Sequence, residues 1–558
     1  MFTISGDDRE PSESDPFRLT TKSQYSRIQA ERSGHDLLKK HSWLFPVLAL
    51  IAVSALYLFV YSGIPVYGDA WGYGYKCASW LSNNGLPLIP SGTGRGETAG
   101  GHAAFYFWLW AVFMKVFGSS TFTAHLLPAI FTYLAVTGTY RLGKDIGGTL
   151  TGTLSGVALL ASPLFLAQAF RPLPIAAVMA MSVWGLFFYN RNQYIRASAM
   201  MIFAVMMREQ AMMVPLACLA ADLFVKNRRH QKRILVLLLP FLVPVVSGIS
   251  NYLANGYVFM SGNTPGIDQA FSLSLALHRL KFFGYFLTAD YRWIPLSAGV
   301  GLLYGKEKGI LTGTILGLLL CFFGIVARFQ NYFTILLFLA LMYQILFTRK
   351  SPKSIHIALV LTPYLMILFF TLIVFVTATQ MEYTFFRYLM AGFPALITGA
   401  MLLLSRWGWK GHVIAGIFLI LTALCNFQFR SETNYTDTTL AGYRAPLLVV
   451  RDAGAWATGK NLPVLVLCGA ISHFENPELG YVETPLDIVS LREFRANPIP
   501  GEYTVVLPPV LPWGENAGAV LDSIVCTHTV DTEIQLHADT LFTRGPFSAE
   551  CFTLTVVR

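Results

Sequence analysis

Apolar stretches of membrane-crossing length alternate along this chain with short polar or basic connections. Residues 1–42 are rich in Ser, Asp, Glu, Arg and Lys, have little to bury, and read as a largely disordered tail. From Trp43 to Tyr61 the sequence becomes apolar for long enough to cross a hydrocarbon core of about 30 Å. Comparable runs recur at residues 121–140, 150–170, 234–254, 356–377, 388–405 and 412–428. With the shorter runs between them, the pattern predicts about 13 crossings. Basic residues mark alternate ends: Lys39-Lys40, Arg141 and Lys144, Arg191 and Arg196, Lys226 to Arg233, Arg349 and Lys353, Arg406 and Lys410. Lys and Arg collect on the cytoplasmic side, so the N-terminus is expected inside and an odd count leaves residues 430–558 outside. Residues 197–225 depart from this rhythm, because basic residues flank both ends and the segment is too short for two full spans of about 20 residues. It reads as two short spans or a re-entrant hairpin with Arg208-Glu209-Gln210 at the apex, which must be buried in protein or line a wet cavity.

Two segments are expected outside the membrane. Residues 64–120 form a long loop, glycine-rich from Ser91 to Gly101, followed by a ring-rich run from His102 to Trp110 that suits the interface. Beyond residue 430 the uniform apolarity ends. Strand-like runs at Pro463–Leu467 and Tyr503–Leu507 are separated by Pro and Gly turns. The expected architecture is a polytopic α-helical membrane protein with a tail (1–42), a membrane domain (43–429) and a soluble α/β or β-rich extracytoplasmic domain (430–558).

Composition narrows the class. Only 13% of residues are charged and 54% are hydrophobic, against roughly 25% charged in soluble domains. The net charge of +10 follows from the basic connections, and no clustered basic face points to a nucleic-acid partner. The seven cysteines show no CxxC spacing, which argues against a structural zinc site. Cys218, Cys321 and Cys425 sit in apolar runs as packing residues, while Cys526 and Cys551 are the candidate disulfide pair.

Acids are scarce between residues 43 and 429, which limits where chemistry can sit. Asp145, Asp222 and Glu307 are expected inside; Asp69, Glu97, Glu209, Asp268, Asp290 and Glu382 are expected outside or in an outward cavity. Asp69 lies in Tyr67–Lys76, directly after the first span, where a carboxylate is costly and tends to be functional; capping of the next helix is the alternative. Arg208 and Arg387, each beside a span end, could hold a phosphate through the guanidinium fork. Local ion pairs with Glu209 and Glu382 are the competing reading.

Gly68-Asp69, Tyr73, Tyr75, Ala78, Leu81 and Gly85, then His102 to Trp108, Phe117-Gly118-Ser119-Ser120, His125-Leu126-Leu127-Pro128, Tyr140-Arg141-Leu142-Gly143, and finally Phe386-Arg387-Tyr388-Leu389 with Phe393-Pro394-Ala395 resemble, in order, segments of the GT-C superfamily of membrane glycosyltransferases. The similarity is to the protein O-mannosyltransferase and aminoarabinose (4-amino-4-deoxy-L-arabinose) transferase group. The resemblance implies a sugar donor carried on polyprenyl phosphate, a lipid, glycan or protein acceptor, and an outward-facing site. It gives Asp69 the role of general base, with Arg208, Arg387, His102, Lys76 and Tyr73 at the lipid phosphate or donor. Two acids of the family pattern are absent, at Ala70 and in Arg171-Pro172-Leu173-Pro174-Ile175. This weakens the case for a divalent metal, which prefers several oxygen ligands, and leaves Glu97 or Glu209 as the second acid. With no retrieval signal of the eukaryotic kind, a bacterial inner membrane is the expected location. A transporter or flippase for lipid-linked glycans is the alternative from another class, although no internal repeat is visible. The missing acids also leave open an inactive relative.

Overall fold

The computed structural model describes residues 43–67, 70–87, 104–225, 231–255, 291–292, 294, 354–376, 385–428, 439–466, 471–496, 500–507, 533–544 and 546–557. Among these, four helices are long and apolar enough to cross a membrane: Leu44–Tyr61, Thr121–Gly147, Arg233–Ser250 and Trp409–Phe427. A fifth crossing arises if Thr149–Ala161 and Pro163–Ala169 form one bent span. Exposed apolar side chains run as stripes along these helices. Val413, Ile417, Ile420 and Leu424 are spaced to share one face of Trp409–Leu424, and Val245, Val246, Ile249 and Leu253 do so on Leu242–Asn255. Apolar stripes of this size turned outward need a lipid surround, and the chain is an integral membrane protein.

Local chemistry sets the breaks. The expected single run over 150–170 bends by 66° between its two helices. Pro163 opens the second helix and holds Ser162 extended (φ −67°, ψ 124°), because proline crowds the preceding residue out of the helical region. The run expected to end near residue 140 continues to Gly147, then turns at Gly148, whose φ of +91° is open to glycine at little cost. The apex expected at Arg208 is a true break. Helix Tyr194–Met207 ends there, Arg208 is extended (φ −164°, ψ 130°), and a short 3-10 turn over Glu209–Met212 leads into helix Met213–Phe224. The helix Phe105–Phe117 has 13 residues, about 20 Å at 1.5 Å per residue, short of a full crossing.

A buried core holds the bundle together, with Leu142, Val183, Met201, Val214, Ala358 and Ala395 from six helices. After helix Leu440–Lys460 the chain forms a mixed five-stranded sheet in the order β2-β1-β3-β5-β4. Its strands are β1 (Val464–Val466), β2 (Ile488–Ser490), β3 (Gly501–Leu507), β4 (Glu533–Arg544) and β5 (Phe547–Val557). β1 runs parallel to β2 and β3; β5 pairs antiparallel with β3 and β4. The expected strands near 463–467 and 503–507 are therefore present in a sheet-containing C-terminal region. Helix Leu440–Lys460 packs on this sheet, and Arg544 of β4 reaches its Asp452 at 2.6 Å. Of the candidate disulfide pair, Cys526 lies outside the described residues, while Cys551 is buried on β5.

Candidate functional site

Two sets of side chains at one end of the helices carry the candidate chemistry. The first is cationic. Arg208 at the helix break and Arg387 on the short helix Phe385–Tyr388 are each 8% exposed. Both meet the same ring: the Arg208 guanidinium lies 4.2 Å from the Tyr388 centroid and that of Arg387 lies 5.2 Å from it. Arg387 also donates to the Tyr388 hydroxyl at 3.4 Å. An aromatic face stabilises a cation beside it, by up to about 2 kcal/mol when water is excluded. Two more buried arginines accompany them. Arg292 sits over Phe393 at 5.5 Å, and Arg171 over Tyr443 at 4.9 Å while donating to Gln168 at 3.3 Å. Helix Phe385–Tyr388 packs against Pro163–Ala169, which leads directly to Arg171. Apart from histidine, the charged side chains buried among the described residues are these four arginines and Asp222. Asp222 accepts from Tyr189 at 2.6 Å. The sequence singled out Arg208 and Arg387; it missed Arg171 and Arg292 as cations, although both are flanked by Phe, Pro, Tyr or Trp.

The second set surrounds the segment that follows the first helix. Ala70–Tyr75 is π-helical and continues into helix Lys76–Asn83. Trp71 packs on His473 in a tilted arrangement, with centroids 4.2 Å apart and planes at 39°, and the Lys76 ammonium lies 4.2 Å from the Trp71 ring centroid. His473 is 4% exposed and also meets Tyr481 at 5.5 Å. Burial, and secondarily the charge of Lys76, pushes its imidazole down to about 4. Tyr75 donates to Glu478 at 2.5 Å, and its phenol is pushed up to about 12, chiefly by burial and then by that bond. A cleft of about 490 Å³ is lined among others by Thr121, Arg451, Asp452, Tyr481 and Glu483.

His125 ties the two sets together. Its Nδ1 lies 2.6 Å from the Phe170 carbonyl oxygen, next to Arg171, and its Nε2 lies 2.9 Å from that of Ile64. Tyr61 stacks on Phe170 at 4.2 Å and donates to the Leu166 carbonyl. The chain leading toward residue 69 is thus anchored at the arginine-bearing turn.

Of the residues expected from the sequence, Arg208 and Arg387 are brought together. Lys76 is exposed and engages Trp71. Tyr73 lies on the π-helical segment with its side chain outside the description, and Glu209 opens the 3-10 turn after Arg208, half-buried. Asp69, Glu97 and His102 fall outside the described residues. Among the described residues no cluster of three or more His, Cys, Asp or Glu could hold a metal; both Asp69 and Glu97 lie outside that description.

Several solved structures resemble this chain at low similarity. ArnT from Cupriavidus metallidurans bound to undecaprenyl phosphate is 13% identical, with a TM-score of 0.48 over 92% of this chain and 98% of that one. The oligosaccharyltransferase of Archaeoglobus fulgidus in complex with Zn and sulfate is 16% identical, with a TM-score of 0.42 over 79% of this chain and 57% of that one. At these scores the likeness carries nothing about chemistry. No curated protein sequence matches the chain. Residues 101–250, which include Arg171, Arg208 and His125, match the family described as dolichyl-phosphate-mannose-protein mannosyltransferase. Over that stretch, about a quarter of its length, this chain is similar to that mannosyltransferase family, in the group that its sequence motifs resemble.

Proposed function

We propose that this protein transfers a sugar from a polyprenyl-phosphate donor to an acceptor hydroxyl at the outer face of the membrane. The observation that carries the proposal is the meeting of Arg208 and Arg387 at the Tyr388 ring, where two buried cations converge at the end of apolar helices. Two buried guanidinium groups at one ring suit an anionic ligand, whose charge offsets theirs in a low dielectric. A phosphate arriving on a lipid tail approaches from the bilayer side. Arginine suits this ligand because its fork matches phosphate oxygens.

In the proposed reaction the acceptor hydroxyl attacks the anomeric carbon while the Asp69 carboxylate takes its proton. The bond from that carbon to the phosphate oxygen breaks, and its electron pair leaves with the polyprenyl phosphate. The arginines meet the charge that develops there, which is where fixed cations lower a barrier most. A divalent metal, if one is used, would draw on Asp69 with Glu97 or Glu209. Tail 1–42, membrane domain 43–429 and extracytoplasmic domain 430–558, with about 13 spans in a bacterial inner membrane, is the arrangement proposed with this function.

The test is binding of polyprenyl phosphate to purified protein in detergent, together with transfer from polyprenyl-phosphate mannose as probe donor. Arg208→Ala should weaken binding about 10- to 100-fold, the worth of hydrogen bonds to a charged group. Arg208→Lys should lose less, since the charge remains, and Glu209→Gln least. Normal binding by Arg208→Ala and Arg387→Ala proteins that remain folded would refute the phosphate assignment.

A further inference from the structure

We propose that residues 473–481 of the C-terminal region form a clamp that sets the position of the segment carrying Asp69, with His473 and Glu478 as positioning residues. The inference rests on the glycosyltransferase reading above.

The clamp grips the chain on both sides of Asp69 in sequence. Upstream, the Val66 amide donates to the Leu479 carbonyl at 2.9 Å, and Pro65 lies against Gly480 closely enough that an added Cβ would sit 3.6 Å from its Cα. Downstream, Trp71 packs against the His473 ring and Tyr75 donates to Glu478. Four contacts thus fall within residues 65–75, from a region some four hundred positions away.

Their chemistry is unusual for contacts that serve cohesion alone. A hydrocarbon side chain at 473 would bury against Trp71 and Tyr481 without the cost of desolvating an imidazole. His473 is buried with its Nδ1 making no hydrogen bond among the described residues, beside the Lys76 charge. The Tyr75–Glu478 bond gives a single direction to one side of the π-helical turn, as hydrogen bonds to a carboxylate do. Directional polar contacts specify one arrangement where apolar packing tolerates several. A carboxylate that must meet a hydroxyl within hydrogen-bond reach needs that definition.

The experiment uses the full chain in detergent and compares Glu478→Ala, Glu478→Gln and Tyr75→Phe with wild type. Hydrogen–deuterium exchange is read over residues 70–83, binding is read with a polyprenyl phosphate, and turnover with polyprenyl-phosphate mannose. The expected result is about tenfold faster exchange in Glu478→Ala and Tyr75→Phe, with turnover reduced by a similar factor, as for loss of one charge-assisted hydrogen bond. Phosphate affinity should stay within about twofold of wild type, because the arginines are elsewhere. Glu478→Gln, which keeps an acceptor oxygen, should restore most of both losses. Unchanged exchange overturns the clamp, and so does a parallel loss of phosphate affinity, which would mark general unfolding. If exchange and rescue behave as expected while Asp69→Asn protein still transfers sugar, the clamp stands and the base assignment falls.

Discussion

Gly480 of the clamp sits against Thr121, and Gly480→Ala gives a perturbation whose size can be worked from geometry. Its backbone sits at φ +83°, ψ 16°, a left-handed conformation that costs an L-residue roughly 1–2 kcal/mol. An alanine Cβ built there would lie 2.4 Å from Cγ2 of Thr121, well inside contact distance. Thr121 is the first residue of helix Thr121–Gly147, and its branched side chain has little freedom to withdraw. Overpacking of this kind adds roughly 1–3 kcal/mol. The sum, about 2–5 kcal/mol, should appear as local opening of residues 473–481, read by hydrogen exchange. Since 1.4 kcal/mol is tenfold, exchange in the clamp should rise about 30-fold or more. Thr121→Ser removes the clashing methyl and should recover the overlap part in the double variant, leaving the backbone part. Exchange in Gly480→Ala equal to wild type would refute the reasoning about the close approach. A double variant no nearer to wild type than the single one would refute the assignment to Thr121.

Three further outcomes are expected. Asp69→Asn should leave folding intact and remove transfer, since a general base contributes about 10²- to 10⁴-fold; retention of more than about a tenth of turnover excludes Asp69 from that role. His473 should make the protein acid-sensitive. Its imidazole is held neutral down to about 4, from 6.5 when exposed, so its contribution is complete above pH 6.5 and is lost as pH falls toward 4, by roughly 3 kcal/mol at most. Thermal unfolding between pH 7.5 and 4.5 should therefore shift less in His473→Gln than in wild type, and equal shifts would remove His473 as the cause. Ser472→Cys should react with a membrane-impermeant thiol probe in intact cells; reaction only after permeabilisation would reverse the proposed topology.

Much of the helical architecture was legible because it depends on composition over some twenty residues. The break at Arg208 was legible from arithmetic on length. The bend before Pro163 carried its own signal in the proline, set against an unbroken apolar run that concealed it. In the C-terminal region the two strands richest in Val and Leu stood out. β5 was missed although Phe547, Ala549 and Cys551, then Leu554 and Val556, are buried in alternation. The interruption between Cys551 and Leu554 breaks its period, and a register shift between Ala538 and Thr540 does the same to β4.

The contacts of the candidate site were illegible for a different reason. Tyr388 looks like any interfacial tyrosine until Arg208, from a distant segment, reaches its ring beside the neighbouring Arg387, and Glu478 looks like a surface acid until Tyr75 donates to it across the chain. Neither the approach of Arg208 to Tyr388 nor that of Tyr75 to Glu478 has a period, a spacing or a local motif, because each is made by tertiary approach alone. The same fact bears on how such a site is built. Its cations are fixed by helices, where a buried charge is expensive and must be held by rings and neighbours. In the proposed arrangement the chain on either side of the base is held instead by the sheet-containing C-terminal region, through residues 473–481. If the proposed function holds, dividing the two tasks lets the phosphate-binding end stay set by the bundle while the acceptor end is adjusted through residues 473–481. Substitutions in the clamp should accordingly alter turnover and acceptor choice, and substitutions at Tyr388 should alter affinity for the carrier.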